Sequence, residues 1–249
     1  MQTTTHSNPR ADVSAEIGRR VASLDWASIE TSLETRGCAM AGPLLMPGEC
    51  AALAALYSRD EPFRSRIVMA RHGFGRGEYK YFSYPLPEVI AGLRPALYGR
   101  LAPVANRWFA QMKMTGAFPD EHPAFLERCH DAGQTRPTPL LLQYGEGDYN
   151  CLHQDLYGAT VFPIQVAILL SRPGVDFEGG EFVLVEQRPR MQSRAEVVPL
   201  QQGWGVIFAV SQRPVAGTKG TYRVNMRHGV SRLRSGTRHT LGVIFHDAA

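Results

Sequence analysis

Beyond Pro139 the chain becomes a succession of short apolar runs separated by glycine and proline. The runs are 138–144 (TPLLLQY), 161–170 (VFPIQVAILL), 180–187 (GEFVLVEQ), 195–200, 204–210 (WGVIFAV), 222–230 (YRVNMRHGV) and 238–246 (RHTLGVIFH). Turn residues part them: Gly145-Glu146-Gly147-Asp148, Pro173-Gly174, Gly179-Gly180, Gly203, Gly217 and Ser235-Gly236. Many short strands at this spacing argue for a sandwich or barrel. The pattern predicts a mainly β core over 136–249, a double-stranded β-helix (a cupin-like jelly roll).

The first half reads differently. Residues 14–36 carry Ile17, Val21, Leu24, Ile29 and Leu33 at helical spacing, broken near Asp25-Trp26, with Gly37 placed to end the second helix. A short strand follows at 38–45, and a helix opens at Pro47-Gly48-Glu49. Residues 88–113 predict a long helix that Pro95 and Pro103 break or kink. Between them, 63–87 (FRSRIVMARHGFGRGEYKYFSYPLP) reads as strands and loops able to lie across a substrate entrance. His72, Lys80 and Tyr81 are candidate substrate contacts there, and a surface or edge-strand role is the alternative. The expected whole is α+β: one domain over 16–249, with 16–135 a mostly helical support. Residues 1–15 are polar, lack the apolar core of a signal peptide, and predict a frayed or disordered start.

No apolar run is long enough to cross a bilayer. The four cysteines, Cys38, Cys50, Cys129 and Cys151, show no pairing rhythm, as expected of reduced thiols in a cytoplasmic protein. Cys151, two residues before His153, suits a small space-filling side chain better than a metal ligand. No obligate protein partner is evident.

Within this strand-and-turn texture stand His153-Gln154-Asp155 and, on a late run, His228. Two imidazoles and one carboxylate are the ligand set of a facial-triad Fe(II) site with open positions. Arg238 follows ten residues after His228, with Thr240 two further on. Strand alternation puts Arg238 and Thr240 on one face, where a cation and a hydroxyl can hold one carboxylate, the guanidinium bidentately. On the preceding strand Val224, Met226 and His228 share a face, so that histidine stands on an apolar wall. Singly, each histidine can be a satisfied structural residue and Arg238 a surface ion pair; jointly, in this order and spacing, they point to an oxygenase.

Residues 136–247 resemble the Fe(II)- and 2-oxoglutarate-dependent oxygenases, with an H-x-D…H triad and an H-x10-R-x-[ST] ending most like the prolyl-hydroxylase branch. Tyr144, in LLLQYGEGDYNCLHQD, stands where that superfamily often has a co-substrate tyrosine. The Leu-His-Gln-Asp run also resembles AlkB-type nucleic-acid demethylases. Those carry an asparagine where Leu142 stands and a longer spacing to their arginines. EYKYFSYPLP, GQTRPTPLLLQY, NCLHQDLYG, GGEFVLVEQRPRMQSR and RHGVSRLRSGTRHTLGVIFHDA look like a bacterial family of such oxygenases, usually labelled as acting on nucleic acid. The resemblance implies Fe(II) held by His153, Asp155 and His228. It also implies 2-oxoglutarate bound through Arg238, Thr240 and Tyr144, O2 as oxidant source, and succinate and CO2 as co-products.

The substrate is less constrained. From Arg188 to Arg238 there are ten Lys/Arg and one acid, Glu196, a formal +9 that leaves −5 on the remainder of a chain totalling +4. Such a segment suits an anionic partner; solvated strand-face arginines are the alternative. The 186–194 stretch, EQRPRMQSR, is expected to form a basic loop near the pocket mouth, with Arg188, Arg190 and Arg194 on phosphates. Asn150, Gln154 and Gln165 are further candidates for binding substrate or ordering the ligands, against packing or strand-edge hydrogen bonding. No stacked-aromatic recognition motif is evident. The preferred substrate is an alkylated nucleic-acid base, undergoing oxidative demethylation. The alternatives are a prolyl-type protein or small-molecule hydroxylase and, less favoured, a non-catalytic metal-binding jelly roll.

Overall fold

Helix α1 (Pro9–Ala22) opens the computed structural model, which describes residues 9–156, 158–218 and 220–249. Its Ile17 and Val21, one turn apart, are buried, and the helix lies along α4 (Glu88–Gln111). Docking on a long partner supplies the stability that a short polar helix lacks alone. Residues 9–15 are therefore helical, a correction to the frayed start expected through residue 15; residues 1–8, Tyr157 and Lys219 lie outside the described residues. Helix α2 (Trp26–Arg36) starts at Asp25, whose carboxylate accepts the Ser28 N–H at 3.0 Å. It ends at Gly37, left-handed at φ 76° with its N–H returned to the Leu33 carbonyl. Helix α3 (Pro47–Ala55) takes proline in its first turn, as its sequence suggests. The remaining helix, α5 (His122–Asp131), was not marked by the sequence patterns above.

Pro95 and Pro103 do not break α4. Each removes one backbone donor, but the helix is buried along much of its length, from Ile90 to Trp108, and that packing outweighs the lost bonds.

Two antiparallel sheets enclose the core. The larger runs in the order β1 (Cys38–Ala41), β11 (Gly205–Ala209), β7 (Ile164–Leu169), β15 (Arg238–Val243), β5 (Leu140–Tyr144), β4 (Glu78–Phe82), β2 (Phe63–Val68). The second runs β10 (Arg194–Val198), β9 (Phe182–Gln187), β13 (Gly220–Val230), β6 (Tyr149–His153), β3 (Gly75–Arg76), with β12 (Gln212–Gly217) also paired to β13. A small sheet joins β14 (Leu233–Gly236) to β8 (Phe177–Gly179). The rings of Phe182 and Phe208, from opposite sheets, lie 5.1 Å apart. This is the expected double-stranded β-helix, mainly β with helices contributed by the first half. The division is less sharp than the sequence suggests, because β1, β2 and β4 extend the larger sheet and β3 the smaller.

Burial follows position. All of β7 is buried, since it is central in its sheet and covered on both faces. On β9, Phe182, Leu184 and Glu186 are buried while Val183, Val185 and Gln187 are less so, the period of two that a one-sided sheet demands. The tail after β15 is held to α4 by Arg94. That side chain donates to the carbonyls of Ile244 (2.8 Å), Phe245 (3.1 Å) and His246 (2.9 Å) and to the Asp247 carboxylate (2.7 Å). Asp247 also accepts from the Tyr84 hydroxyl at 2.9 Å and meets His130 Nε2 at 2.9 Å. The strand carrying Arg238 is thus fixed at its far end by a fully partnered buried charge. Among the described residues, no helix is long and apolar enough to cross a membrane.

Candidate active site

A cavity of about 200 Å³ lies between the two sheets. His153 ends β6 and His228 stands on β13, and the two are direct cross-strand partners, which brings their rings to 4.2 Å between centroids. Asp155, just past β6, sets one carboxylate oxygen 3.4 Å from His153 Nε2 and the other 3.4 Å from His228 Nε2. One ligand atom from each of the three falls within 4.8 Å of the others, a spacing that can hold a metal ion.

The surroundings prepare these groups for a cation. His153 Nδ1 lies 2.7 Å from the Cys151 carbonyl, which can only accept; Nδ1 therefore carries a proton, and this bond orients the ring with Nε2 toward Asp155. The His228 ring lies against Phe182 (5.9 Å, near parallel) and Phe208 (4.6 Å). Burial pushes the Asp155 carboxyl up, but hydrogen bonds from both imidazoles outweigh it and hold it well below the usual carboxylate range. For His153 burial acts downward, yet the bond and charge of Asp155 win and raise it; for His228 burial wins and lowers it. An ionised carboxylate wedged between two imidazoles is the protonation state a divalent metal requires. Gln154 does not face this centre as a ligand: its amide donates to the carbonyls of Ser211 (3.1 Å) and Met226 (2.9 Å), locking the segment between His153 and Asp155.

At another part of the cavity Arg238 and Tyr144 are cross-strand partners on β15 and β5. Arg238 is 2% exposed and packs over the Tyr144 and Phe177 rings, 5.7 and 5.9 Å from their centroids. It donates to the Thr240 hydroxyl at 2.6 Å, but its Nε has no partner, nor has the Tyr144 hydroxyl. Burial holds the Tyr144 phenol above its ordinary value, against the opposing pull of Arg238 and Asn150, so its hydroxyl is a neutral donor. Burial draws the Arg238 guanidinium down to about 10, so it is still a cation at neutral pH. Among the described residues no carboxylate lies within 4.0 Å of it. The charge of Glu181 reaches it only from a distance; a buried cation with no anion in contact costs several kcal/mol by order of magnitude, and the donors left over match a carboxylate. Gly180 permits the arrangement: a Cβ there, at φ 60°, would stand 2.4 Å from Leu233 and 3.0 Å from Arg238 Cδ. Gly179-Gly180 had looked only like a turn, and a glycine pair upstream of a strand gives no signal of the side chain it shelters.

Gln165, 4% exposed, lines the same cavity with its amide nitrogen unpartnered; Asn150 lines it too, with Phe74, Tyr79 and Tyr81. Tyr79, which the sequence did not single out, faces the cavity because it alternates with Lys80. Lys80 is correspondingly misplaced for substrate: its ammonium is bound by the carbonyls of Tyr57 and Arg59, both at 3.0 Å, and by Asp60 at 2.7 Å. The basic loop also needs correction. Arg188, Arg190 and Arg194 do not line the cavity, and Arg188 and Arg190 border a separate surface groove with Arg223 and Asn225. Arg188 pairs with Glu186 at 2.6 Å, and Arg213 is buried against the same carboxylate and the carbonyls of Glu34 and Thr35. Part of the +9 summed along the chain is thus engaged by Glu186, while Arg190, Arg194, Arg227, Arg232 and Arg234 stay exposed. Cys38, Cys50 and Cys129 are buried free thiols; Cys151 is an exposed one, serving the site through its backbone.

The sequence matches, over residues 77–248, the Oxygenase-NA family, described as oxygenases catalysing oxidative methylation of damaged DNA. Two uncharacterized proteins of Mycobacterium tuberculosis, from strains CDC 1551 and H37Rv, are each 51% identical over 168 residues, 68% of this chain and 72% of theirs. Among solved structures, a Pseudomonas putida prolyl-4-hydroxylase is similar with TM-score 0.53 and 17% identity, over 90% of this chain and 100% of that one. A 2OG-Fe(II) oxygenase family oxidoreductase of Burkholderia pseudomallei gives 0.51 and 17%, over 90% and 93%. A Trichoplax adhaerens prolyl hydroxylase, solved with a hypoxia inducible factor peptide fragment, gives 0.55 and 14%, over 98% and 94%. At such identities the likeness is one of fold.

Proposed function

This chain belongs to the Oxygenase-NA family and is an Fe(II)- and 2-oxoglutarate-dependent oxygenase; from that premise we propose that His153, Asp155 and His228 hold the iron, that Arg238, Thr240 and Tyr144 hold the co-substrate, and that the substrate is an alkylated base in nucleic acid. The observation that carries the site assignment is Arg238, a buried cation without an anion in the same cavity as the triad. When bound, iron and 2-oxoglutarate supply the oxidising power, turning O2 and the co-substrate into succinate, CO2 and one oxygen atom for a substrate C–H bond.

The protein's share is orientation and an apolar setting. The Arg238 fork meets the far carboxylate of 2-oxoglutarate, while Thr240, already accepting from Arg238, turns its own proton to the same group. The Tyr144 hydroxyl donates from the neighbouring strand. Apolar walls from Leu142, Val166, Phe182 and Phe208 lower the polarity around these groups, which strengthens each of these bonds. Asn150 and the unpartnered Gln165 amide offer hydrogen bonds to the edges of a planar base, and Tyr79 and Tyr81 offer rings beside it. Hydroxylating an N-methyl carbon releases formaldehyde, so the net outcome on such a base is demethylation.

The substrate assignment draws on the family description and on this aromatic and amide lining; the prolyl-hydroxylase likeness is confined to the fold. Its test is succinate formation by the Fe(II)-loaded protein with N-methylated oligonucleotides against a peptide panel. Oligonucleotide-stimulated succinate with matching formaldehyde is expected, with affinity falling steeply as salt rises. Stimulation by peptides alone would overturn the substrate and leave the metal and co-substrate roles standing.

A further inference from the structure

Residues 69–77 make a tight turn between β2 and β4 that contains β3. Phe74 in this turn lines the cavity and is nevertheless 41% exposed, so it stands where the cavity meets solvent. His72 stacks on it, with 5.3 Å between ring centroids and 22° between planes. Arg71 and Arg76 flank the pair. Both are exposed, and the acid nearest Arg76, Asp148, is 3.9 Å away.

The turn is rigidly placed. The Phe74 N–H donates to the Met69 carbonyl at 3.2 Å, and the Phe74 carbonyl accepts from Cys151 N–H at 2.9 Å. Cys151 is the residue whose own carbonyl fixes His153. Gly75 pairs with Asn150 at φ 124°, and a Cβ there would meet the Tyr149 carbonyl oxygen at 2.4 Å. Only glycine lets the turn lie this close to the strand that carries the metal ligand.

A stacked aromatic pair, held still at a cavity mouth and bracketed by cations, has no packing reason to be half in water. Rings supply a sequence-tolerant surface for a base, and arginines meet phosphates. We propose that Phe74 and His72 form a stacking platform for the nucleobase adjacent to the one held in the cavity, with Arg71 and Arg76 on that strand's phosphates. The proposal rests on the nucleic-acid reading above and adds a second base-binding position to it. A peptide would use the rings but has no need of a cation on each side.

The test uses the full chain, loaded with Fe(II) and 2-oxoglutarate without oxygen, and a single-stranded oligonucleotide with one N-methylated base flanked by 2-aminopurine. Stacking quenches the probe on binding. Phe74→Ala is expected to abolish the quench and to weaken binding roughly 5- to 150-fold, from about 1–3 kcal/mol per stacked base. With oxygen admitted, it raises KM for the oligonucleotide more than it lowers kcat. Phe74→Trp restores the quench, which separates stacking from a folding defect, and Arg71→Gln with Arg76→Gln flattens the salt dependence. Wild-type binding and turnover with no quench, or with Phe74→Ala binding unchanged, would overturn the platform and leave the substrate reading intact. No oligonucleotide binding or turnover by the wild type would overturn both.

Discussion

Arg94 and Arg238 are equally buried, each 2% exposed, and they sit near the two ends of one stretch of chain: Arg94 grips the tail after β15, Arg238 begins that strand. Arg94 has a carboxylate at 2.7 Å and three carbonyls. Arg238 has a threonine hydroxyl and an unpartnered Nε. The contrast separates a charge that serves structure from one that awaits a ligand. A saturated buried cation is part of the scaffold; an unsaturated one, beside an unpartnered tyrosine hydroxyl and in the cavity of the His-Asp-His cluster, is on our proposal a binding group.

Breaking the metal centre has the largest expected effect. Asp155→Ala leaves two imidazoles without the carboxylate that joins them, and turnover of 2-oxoglutarate is expected to fall to background while the protein folds. Retained turnover in a succinate assay would remove the triad from the chemistry.

Exchanging the two arginines sharpens the comparison directly. Arg94→Met strands the Asp247 carboxylate, 0% exposed, without its cation, and is expected to cost about 3–5 kcal/mol in urea denaturation. Arg238→Met removes a buried charge with no anion in contact, so stability is expected to hold or rise, while apparent affinity for 2-oxoglutarate drops about a hundredfold, from roughly 3 kcal/mol. Equal stability losses in the two variants would erase the distinction.

Acid acts on the scaffold region first. Burial, aided by the nearby Arg94 charge, holds His122 and His246 down to about 4. Unfolded histidines titrate near about 6.5, so between that value and about 4 the unfolded chain binds more protons, and stability falls as pH falls. Each contributes on the order of 1.4 kcal/mol per pH unit across that window. Urea midpoints between pH 7 and 4.5 measure it. His122→Gln is expected to reduce the slope, and an unchanged slope would assign the acid sensitivity elsewhere.

The smallest effect belongs to Lys80. Its bonds to Tyr57, Arg59 and Asp60 make it a clamp on the outer side of β4. Lys80→Met is expected to lower the melting temperature while leaving KM for 2-oxoglutarate and for oligonucleotide within about twofold. A large KM change would return it to the site.

What the sequence made legible follows the same line. The triad, Arg238 and Thr240 were legible because spacing and strand alternation carry them, and Tyr144 through the family resemblance; the face shared by Arg238 and Thr240 follows from a period of two, and all six residues line one cavity. Lys80 failed on that same period, since it alternates with Tyr79 and Tyr81, which do face inward. The basic segment is less basic at the surface than its sum, because summing charge along a chain ignores which partners the fold supplies; Glu186 gathers Arg188, Arg194 and Arg213. Gly73, Gly75 and Gly77 mark a turn here, but a turn signal does not say that rings two residues apart will stack, so the His72–Phe74 pair was not legible.

The central claim is that Arg238 completes a 2-oxoglutarate site built on the His153–Asp155–His228 centre. Its most direct test is an oxygen-free titration of 2-oxoglutarate into the Fe(II)-loaded protein, followed by the weak visible charge-transfer band of the chelate. The expected result is a band saturating at one equivalent in the wild type, requiring about a hundredfold more ligand in Arg238→Met and absent in Asp155→Ala. No band in the wild type, or identical titrations for wild type and Arg238→Met, would contradict the account.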